Sequence, residues 1–141
     1  MKKTIYIFIF TLLLFSCNNN DLTKIENSDL IGKWNWRSTK GGIGGHINDT
    51  PQTTGKTIHL ILSSDYTFSV IENGDTIADG TYLLTTRKSI YNGEMERFID
   101  YVEKDNSKRF WSGIITTYKT NKLDILSNFY DGVGSEFVRI E

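Results

Sequence analysis

Apolar and polar residues alternate along most of the chain beyond residue 29. In KTIHLIL, residues 56–62, the side chains of Ile58, Leu60 and Leu62 fall on one face of an extended segment. A repeat of two residues is typical of a β-strand with one buried face. The same pattern predicts eight strands, at 33–38, 56–62, 65–75, 76–86, 94–103, 108–119, 122–128 and 135–141.

The connections between most of these strands are short and polar. Within ENGD, residues 72–75, the pair Asn73-Gly74 tolerates the positive φ angles of a tight hairpin turn. Outside the N-terminus no run of ten or more residues has a helical apolar period, which disfavours a parallel α/β architecture. A long antiparallel meander leaves two exposed edges unless it closes on itself. The sequence therefore predicts an all-β fold, an eight-stranded antiparallel up-and-down barrel that follows an N-terminal signal segment.

The N-terminus has the three parts of a secretory signal. Lys2 and Lys3 give a positive start, residues 5–15 are apolar apart from one threonine, and the small Ser16 precedes Cys17, the only cysteine of the chain. As a helix, the apolar part reaches about 16 Å, well short of the roughly 30 Å hydrocarbon core of a bilayer. This segment therefore indicates export rather than a membrane-spanning anchor.

The four residues Leu14, Phe15, Ser16 and Cys17 resemble the lipobox of bacterial lipoproteins. The resemblance implies that the Cys17 thiol carries a diacylglycerol, that cleavage occurs before Cys17, and that the new amino group receives a fatty acid such as palmitate. One fatty chain binds membranes only marginally, but several together anchor a protein stably. The alternative is a soluble secreted protein whose cysteine is discarded with the signal or stays free.

The chain then divides into three parts: a signal peptide at 1–16, the lipidated Cys17 with a flexible tether to residue 29, and a barrel domain at 30–141. We expect a lipid-anchored protein of the bacterial cell envelope, in the outer membrane. Sixteen basic and 17 acidic residues are spread along the chain, so no cationic face for nucleic acid is visible. The expected partners are the membrane, reached through the lipid anchor, a small hydrophobic ligand and an envelope protein.

The motif LIGKWNW, residues 30–36, resembles the Gly-x-Trp signature at the start of the first strand of lipocalins, with Gly32 and Trp34 in the signature positions. The glycine-rich, GKT and ENG segments that follow are similar to the small lipocalin-like domains of lipoproteins from Bacteroidetes. In lipocalins a basic side chain near the end of the last strand stacks across this tryptophan. The resemblance assigns that role to Arg139, and such a contact contributes about 2 kcal/mol when it is desolvated.

The interior of an eight-stranded barrel is just wide enough to be filled by side chains or to hold one small ligand. Parity predicts that Trp36, Leu60, Leu62, Phe68, Tyr82 and Ile114 point inward. These bulky groups leave room for a small apolar or aromatic molecule near the open end, oriented by tyrosine hydroxyls. The candidate ligand-binding residues are Trp36, His46, Tyr66, Phe68, Tyr82 and Tyr118.

The longest connection in the body is the glycine-rich segment at 39–55. The long first loop of lipocalins folds across the barrel mouth, so His46 and Asn48 are candidates to gate or contact a ligand. The alternative is a mobile surface loop. No lysine-serine pair follows the glycines, and we expect no helix to begin there, which argues against a phosphate-binding loop.

Candidate catalytic residues are few. The chain has two histidines, His46 and His59, which are too few for a spaced metal site, and the acidic residues of 94–100 have the pattern of a solvated strand face. We therefore expect no catalytic residues, no metal and no cofactor, and the protein is predicted not to be an enzyme.

Two functions fit this sequence best. The first is a lipid-anchored carrier or sensor of a small hydrophobic molecule, which predicts an unfilled cavity under the 39–55 loop. The second is a membrane-tethered module for protein interaction or envelope assembly, which predicts a filled barrel and an exposed apolar patch. A third hypothesis, hydrolytic or isomerising activity, requires a polar cluster in the lumen.

Overall fold

The computed structural model describes residues 24–103, 111–118 and 121–141, with only the backbone of Glu103 and Tyr118. The predicted signal, the lipid-attachment residue Cys17 and the first half of the tether lie outside these residues. The described strands are β1 Gly32–Gly41, β2 Ile47–Asp49, β3 Ile58–Leu62, β4 Thr67–Glu72, β5 Asp75–Lys88, β6 Met95–Glu103, β7 Gly113–Tyr118, β8 Lys122–Leu126 and β9 Val133–Arg139. No described helix is long and apolar enough to cross a bilayer.

The sheet closes into a barrel. Apart from β2, each strand pairs antiparallel with the next one along the chain, and β9 returns to pair with β1. This last pairing runs from Trp34↔Arg139 to Gly41↔Val133, with an irregularity between Trp36 and Ser38. The predicted closed, eight-stranded antiparallel barrel is therefore confirmed, with β2 as one additional strand.

The tight turn after β4 also forms as predicted. Glu72 pairs with Asp75, and the two residues between them, Asn73 and Gly74, have φ angles of 53° and 97°. Asparagine and glycine are the residues that adopt such angles at low cost, so this dipeptide sets the register of the β4–β5 hairpin.

The segment between β1 and β3 is more ordered than a long loop. It contains a 3₁₀ turn at Ile43–Gly45, strand β2 on the same edge of β1 as β3, and a short helix, α1, at Pro51–Thr54. The expectation that no helix begins here is wrong. Thr50 caps α1 by accepting a hydrogen bond from the Thr53 amide, proline occupies its first turn and Gly55 ends it with φ 68°.

The barrel interior is built from the alternating apolar residues of the strands. Burying one large apolar side chain stabilises the fold by about 1.5–3 kcal/mol, so the interior row of each strand fixes its register. The largest side chains that are fully buried are Trp34, Phe137, Leu30, Leu60, Leu62, Ile99, Leu123, Ile125 and Val70.

Two side-chain positions differ from the prediction. Ile115 pairs with Ile125 of the core, whereas Ile114 pairs with Leu126 and Phe98 and so lies on the outer face. The inward assignment of Ile114 is therefore wrong, because the second of the two consecutive isoleucines is the one in the core. Tyr66 was predicted within a strand, but it precedes β4 and has a φ of 65°.

Candidate ligand site inside the barrel

One end of the barrel is sealed by the segment 24–31, which we call the closing segment. The Asn27 side-chain amide donates hydrogen bonds to the Tyr82 hydroxyl at 2.6 Å and to the Ser63 carbonyl at 3.2 Å. The Tyr82 hydroxyl in turn donates to the Ser63 carbonyl at 3.0 Å, and Tyr66 donates to the Ile25 carbonyl at 2.8 Å. Leu30 of the same segment is fully buried, so both hydrogen bonds and apolar packing hold the closing segment against this end of the barrel.

Asp29 fastens the closing segment to two interior positions of the barrel wall. Its carboxylate accepts hydrogen bonds from the Arg97 guanidinium and, at 2.9 Å, from the Thr117 hydroxyl. Burial by itself would raise the pKa of Asp29, but the hydrogen bonds from Arg97 and Thr117 outweigh it and hold the pKa below its ordinary value. Asp29 therefore stays ionised and its ion pair intact at neutral pH.

The Gly-x-Trp residues meet Arg139 at this sealed end. The Arg139 guanidinium carbon lies 4.1 Å from the Trp34 ring centroid, and its nitrogens donate to the Ile31 carbonyl and, at 2.6 Å, to the Asp29 carbonyl. Gly32 has a φ of 141°, and a Cβ added there would collide with Arg139 and with the backbone of Glu141. The motif is thus structural: glycine gives Arg139 room to cross the indole and to tie the first strand, the last strand and the closing segment together.

The opposite end of the barrel is the one where β1 ends and β9 begins, and we call it the loop end. Ala78, Tyr101 and Trp111 pack against the core cluster but are only partly buried. Ala78 and Tyr101 lie in the loop-end parts of β5 and β6, and Trp111 lies just before β7. Continuing the register Ile99↔Gly113 by two residues places Trp111 opposite Tyr101. These three side chains therefore line the interior at the loop end.

The Tyr101 hydroxyl has an unusual environment. The oxygen is buried and has no hydrogen-bond partner among the residues that the structure describes. Burial, with a smaller contribution from Tyr82, raises the pKa of Tyr101 far above its ordinary value, so the phenol stays protonated. A buried hydroxyl without a partner costs about 1–3 kcal/mol, which a water molecule or a polar ligand atom would recover.

Two aromatic pairs lie in the interior, and one of them includes Tyr101. The rings of Phe68 and Tyr101 meet edge to face with centroids 4.7 Å apart, and Trp111 meets Phe137 in the same way at 4.9 Å. Tyr82 pairs with Tyr101 across β5 and β6, but its own hydroxyl is already engaged by Asn27 and Ser63. Among the described tyrosines of the interior, Tyr101 is thus the one whose hydroxyl has no partner in the described residues.

The structure brings together only some of the predicted ligand-binding residues. Trp36 and Phe68 are buried inside the barrel, and the Trp36 indole nitrogen donates to the Thr39 hydroxyl at 2.9 Å. Tyr66 and Tyr82 instead hold the closing segment at the sealed end. His46 is exposed in the 42–57 insertion, where Nδ1 lies 2.7 Å from the Ile43 carbonyl oxygen. The Tyr118 side chain lies outside the described residues.

Sequence reasoning missed Tyr101 and Trp111. Tyr101 shares its parity with Ile99 in the segment ERFIDYVE, so the alternation already placed both residues on the interior face. Trp111 precedes β7 but lies within the predicted strand at 108–119, and the inward assignment of Ile114 placed Trp111 on the opposite, outer face. Within the described residues no group of three or more histidine, cysteine, aspartate or glutamate side chains is placed to hold a metal.

Comparisons of the chain with protein-family models, with curated proteins and with solved structures found no match.

Proposed function

We propose that this protein is a lipid-anchored, non-enzymatic component of the bacterial outer membrane whose lipocalin-like barrel binds a small, largely apolar molecule with one hydrogen-bonding group. The lipobox-like sequence ending at Cys17 supports the anchor. The observation that carries the binding function is the buried hydroxyl of Tyr101, which has no partner within the described part of the chain and whose ring packs against Phe68 toward the loop end.

The packing of the interior limits the size of the ligand. Trp34, Phe137 and the aliphatic core residues are buried in the lumen, which argues against a whole phospholipid as the ligand. A ligand that places its apolar part against Phe68 and its polar group on Tyr101 would satisfy the one orphaned polar atom of this site. Trp111, being partly exposed, would cover it from the side of the opening.

Native mass spectrometry of the full chain, extracted from its own envelope with mild detergent, tests this function. We expect a reproducible small-molecule adduct on the wild-type protein and its loss or sharp reduction in Tyr101→Phe, which removes a single oxygen. Tyr130→Phe is the matched control, because Tyr130 is 83% exposed and the same atom is removed outside the barrel. An adduct that persists in Tyr101→Phe would contradict the assignment of the site.

The anchor is tested separately by fractionation. Cys17→Ser should move the protein from the membrane fraction to the soluble fraction without changing the adduct. Retention of the Cys17→Ser protein on membranes would remove the support for a lipid anchor.

A second function is favoured by the apolar side chains at the loop end. Ile43, Phe129 and Tyr130 are 77%, 60% and 83% exposed, and their loops meet through the Gly42 amide, which donates to the Gly132 carbonyl at 3.2 Å. Exposed apolar groups of this kind are typical of protein-interaction sites. An extract in which the chain carries no adduct but retains one envelope polypeptide, lost on Phe129→Ser, would favour this interaction module.

A further inference from the structure

The outer surface of the barrel carries a groove that is separate from the interior site. The cross-strand pairs Ile114↔Leu126, Leu126↔Gly134 and Gly134↔Lys40 align four outward-facing positions across β7, β8, β9 and β1. The groove has a volume of about 300 Å³ and follows this row. We call it the outer groove.

Gly134 creates the space in the middle of the outer groove. Its φ angle lies outside the range that favours glycine, and a Cβ added there would meet only the Leu126 Cδ1 atom, at an ordinary 3.5 Å. Neither the backbone nor the packing requires a glycine at this position. What the missing side chain provides is a gap between Leu126 on one side and Lys40 on the other.

The β7–β8 side of the outer groove is apolar. Ile114 is only 7% exposed although it faces outward, and the neighbouring Phe98 is 2% exposed. The Arg87 guanidinium lies over the Phe98 ring at 4.6 Å and helps to shield it. Leu126 extends this apolar surface to the edge of the Gly134 gap, so a small aliphatic group can be buried there.

The rest of the outer groove carries separated charges. Asp124 and Glu136 lie opposite each other on β8 and β9, and the Lys122 ammonium bridges them at 3.3 Å and 3.0 Å. Lys40 lies across the Gly134 gap and forms no ion pair with any residue that the structure describes. Lys122 lies beside the groove rather than in its lining, and together with Lys40 it balances the two acids, so the groove favours neither a simple anion nor a simple cation. It favours a dipolar ligand whose charges match the two sides.

We propose that the outer groove binds a free α-amino acid with an aliphatic side chain. The three kinds of side chain around Gly134, a lysine, a glutamate and two aliphatic residues, match the carboxylate, the ammonium group and the side chain of such a molecule. Lys40 pairs with the carboxylate, Glu136 accepts hydrogen bonds from the ammonium group, and Leu126 with Ile114 receives the side chain. This site is independent of the ligand site around Tyr101.

Ligand-observed NMR titration of the full chain in lipid nanodiscs, with empty nanodiscs as the blank, tests this proposal. The probes are L-leucine, 4-methylpentanoate, which lacks the ammonium group, and isopentylamine, which lacks the carboxylate. Because the charges are exposed, we expect weak binding of leucine, with a Kd on the order of 1 mM. Each analogue should bind about three- to fivefold more weakly, as loss of an exposed charge pair implies. Equal binding of leucine and either analogue would overturn the proposal.

Variants of Lys40 and Gly134 provide the second half of the test. Lys40→Gln should weaken the binding of leucine about three- to fivefold and leave the binding of isopentylamine unchanged, because leucine has a carboxylate and isopentylamine has none. Lys88→Gln, at an exposed lysine of β5 outside the groove, is the matched control and should change neither. Gly134→Val should fill the gap and abolish leucine binding, with Gly134→Ala intermediate and circular dichroism confirming the fold of each variant. Unchanged leucine affinity in Lys40→Gln, a surface substitution that does not threaten folding, would refute the site by itself.

Discussion

Removing the Arg139 side chain should destabilise the barrel strongly, because this side chain joins the first strand, the last strand and the closing segment. Arg139 lies 4.1 Å from the Trp34 ring centroid and donates to two backbone carbonyls of the closing segment, those of Asp29 and Ile31. A cation–π contact contributes about 0.5–2 kcal/mol. A hydrogen bond from a charged group contributes about 1.5–3 kcal/mol.

These contributions do not add fully, and Arg139 is only partly buried, so each belongs at the lower end of its range. The Arg139→Met substitution keeps much of the apolar stem and removes the charge and the donors. We therefore expect it to lower the free energy of unfolding by about 2–3 kcal/mol. The free energy of unfolding of Arg139→Lys should lie between those of the wild type and Arg139→Met. The lysine ammonium keeps the charge over Trp34 but lacks the planar fork that reaches both carbonyls.

Urea unfolding of the body from residue 18 onward, followed by tryptophan fluorescence, measures this difference. All nine described strands and the closing segment lie between residues 24 and 141, so this body contains the whole barrel. Arg37→Met is the control, since Arg37 is exposed in the same sheet and should change stability by less than about 0.5 kcal/mol. If the two methionine variants unfold at the same urea concentration, the reasoning that Arg139 latches the barrel is refuted.

Three further predictions follow from individual contacts. Tyr101→Phe should leave the ligand-free body as stable as the wild type or stabilise it by up to about 1–3 kcal/mol, since it removes a buried hydroxyl that has no partner among the described residues. A lower urea midpoint would show that this hydroxyl does form a hydrogen bond. The folded-state pKa of Asp29 is lowered, so ionised Asp29 contributes its full stabilisation of the fold above the unfolded pKa of about 4 and loses it as the pH falls through the folded-state pKa. Asp29→Asn should therefore reduce the fall of the urea midpoint between pH 5 and pH 2–3. Parallel curves of urea midpoint against pH for the two proteins would contradict this. Gly74→Ala, at a φ of 97°, should cost about 1 kcal/mol in thermal unfolding, whereas Gly134→Ala, which has no positive φ, should cost much less.

The alternation of apolar residues was sufficient to predict the barrel, because every strand has one buried row and a shift of one residue would expose it. The Asn73-Gly74 turn was predictable for a local reason, since few dipeptides adopt two positive φ angles. The short helix α1 was overlooked although Thr50, Pro51 and Gly55 form a readable set of capping signals. In that case a local signal was present and the glycine-rich composition hid it.

The candidate site was harder to predict than the fold. Tyr66, Tyr82 and Tyr101 are all aromatic residues of similar polarity, and the sequence does not reveal which hydroxyl finds a partner. That difference depends on Asn27 and Ser63, which are 55 and 19 residues from Tyr82 along the chain. The outer groove was invisible for a related reason, because it depends on Lys40, Leu126 and Gly134 becoming neighbours only after the barrel closes.

The pairing of β1 with β9 also has a consequence for how the chain reaches its folded state. Trp34 and Arg139 lie at opposite ends of the body, so the loop that must close between them spans nearly the whole domain. Such non-local pairings slow folding, and a nascent chain in which β9 has not yet emerged presents two unpaired strand edges and an exposed apolar interior. Loss of the residues from 135 onward should therefore give an aggregation-prone product rather than a slightly shortened barrel.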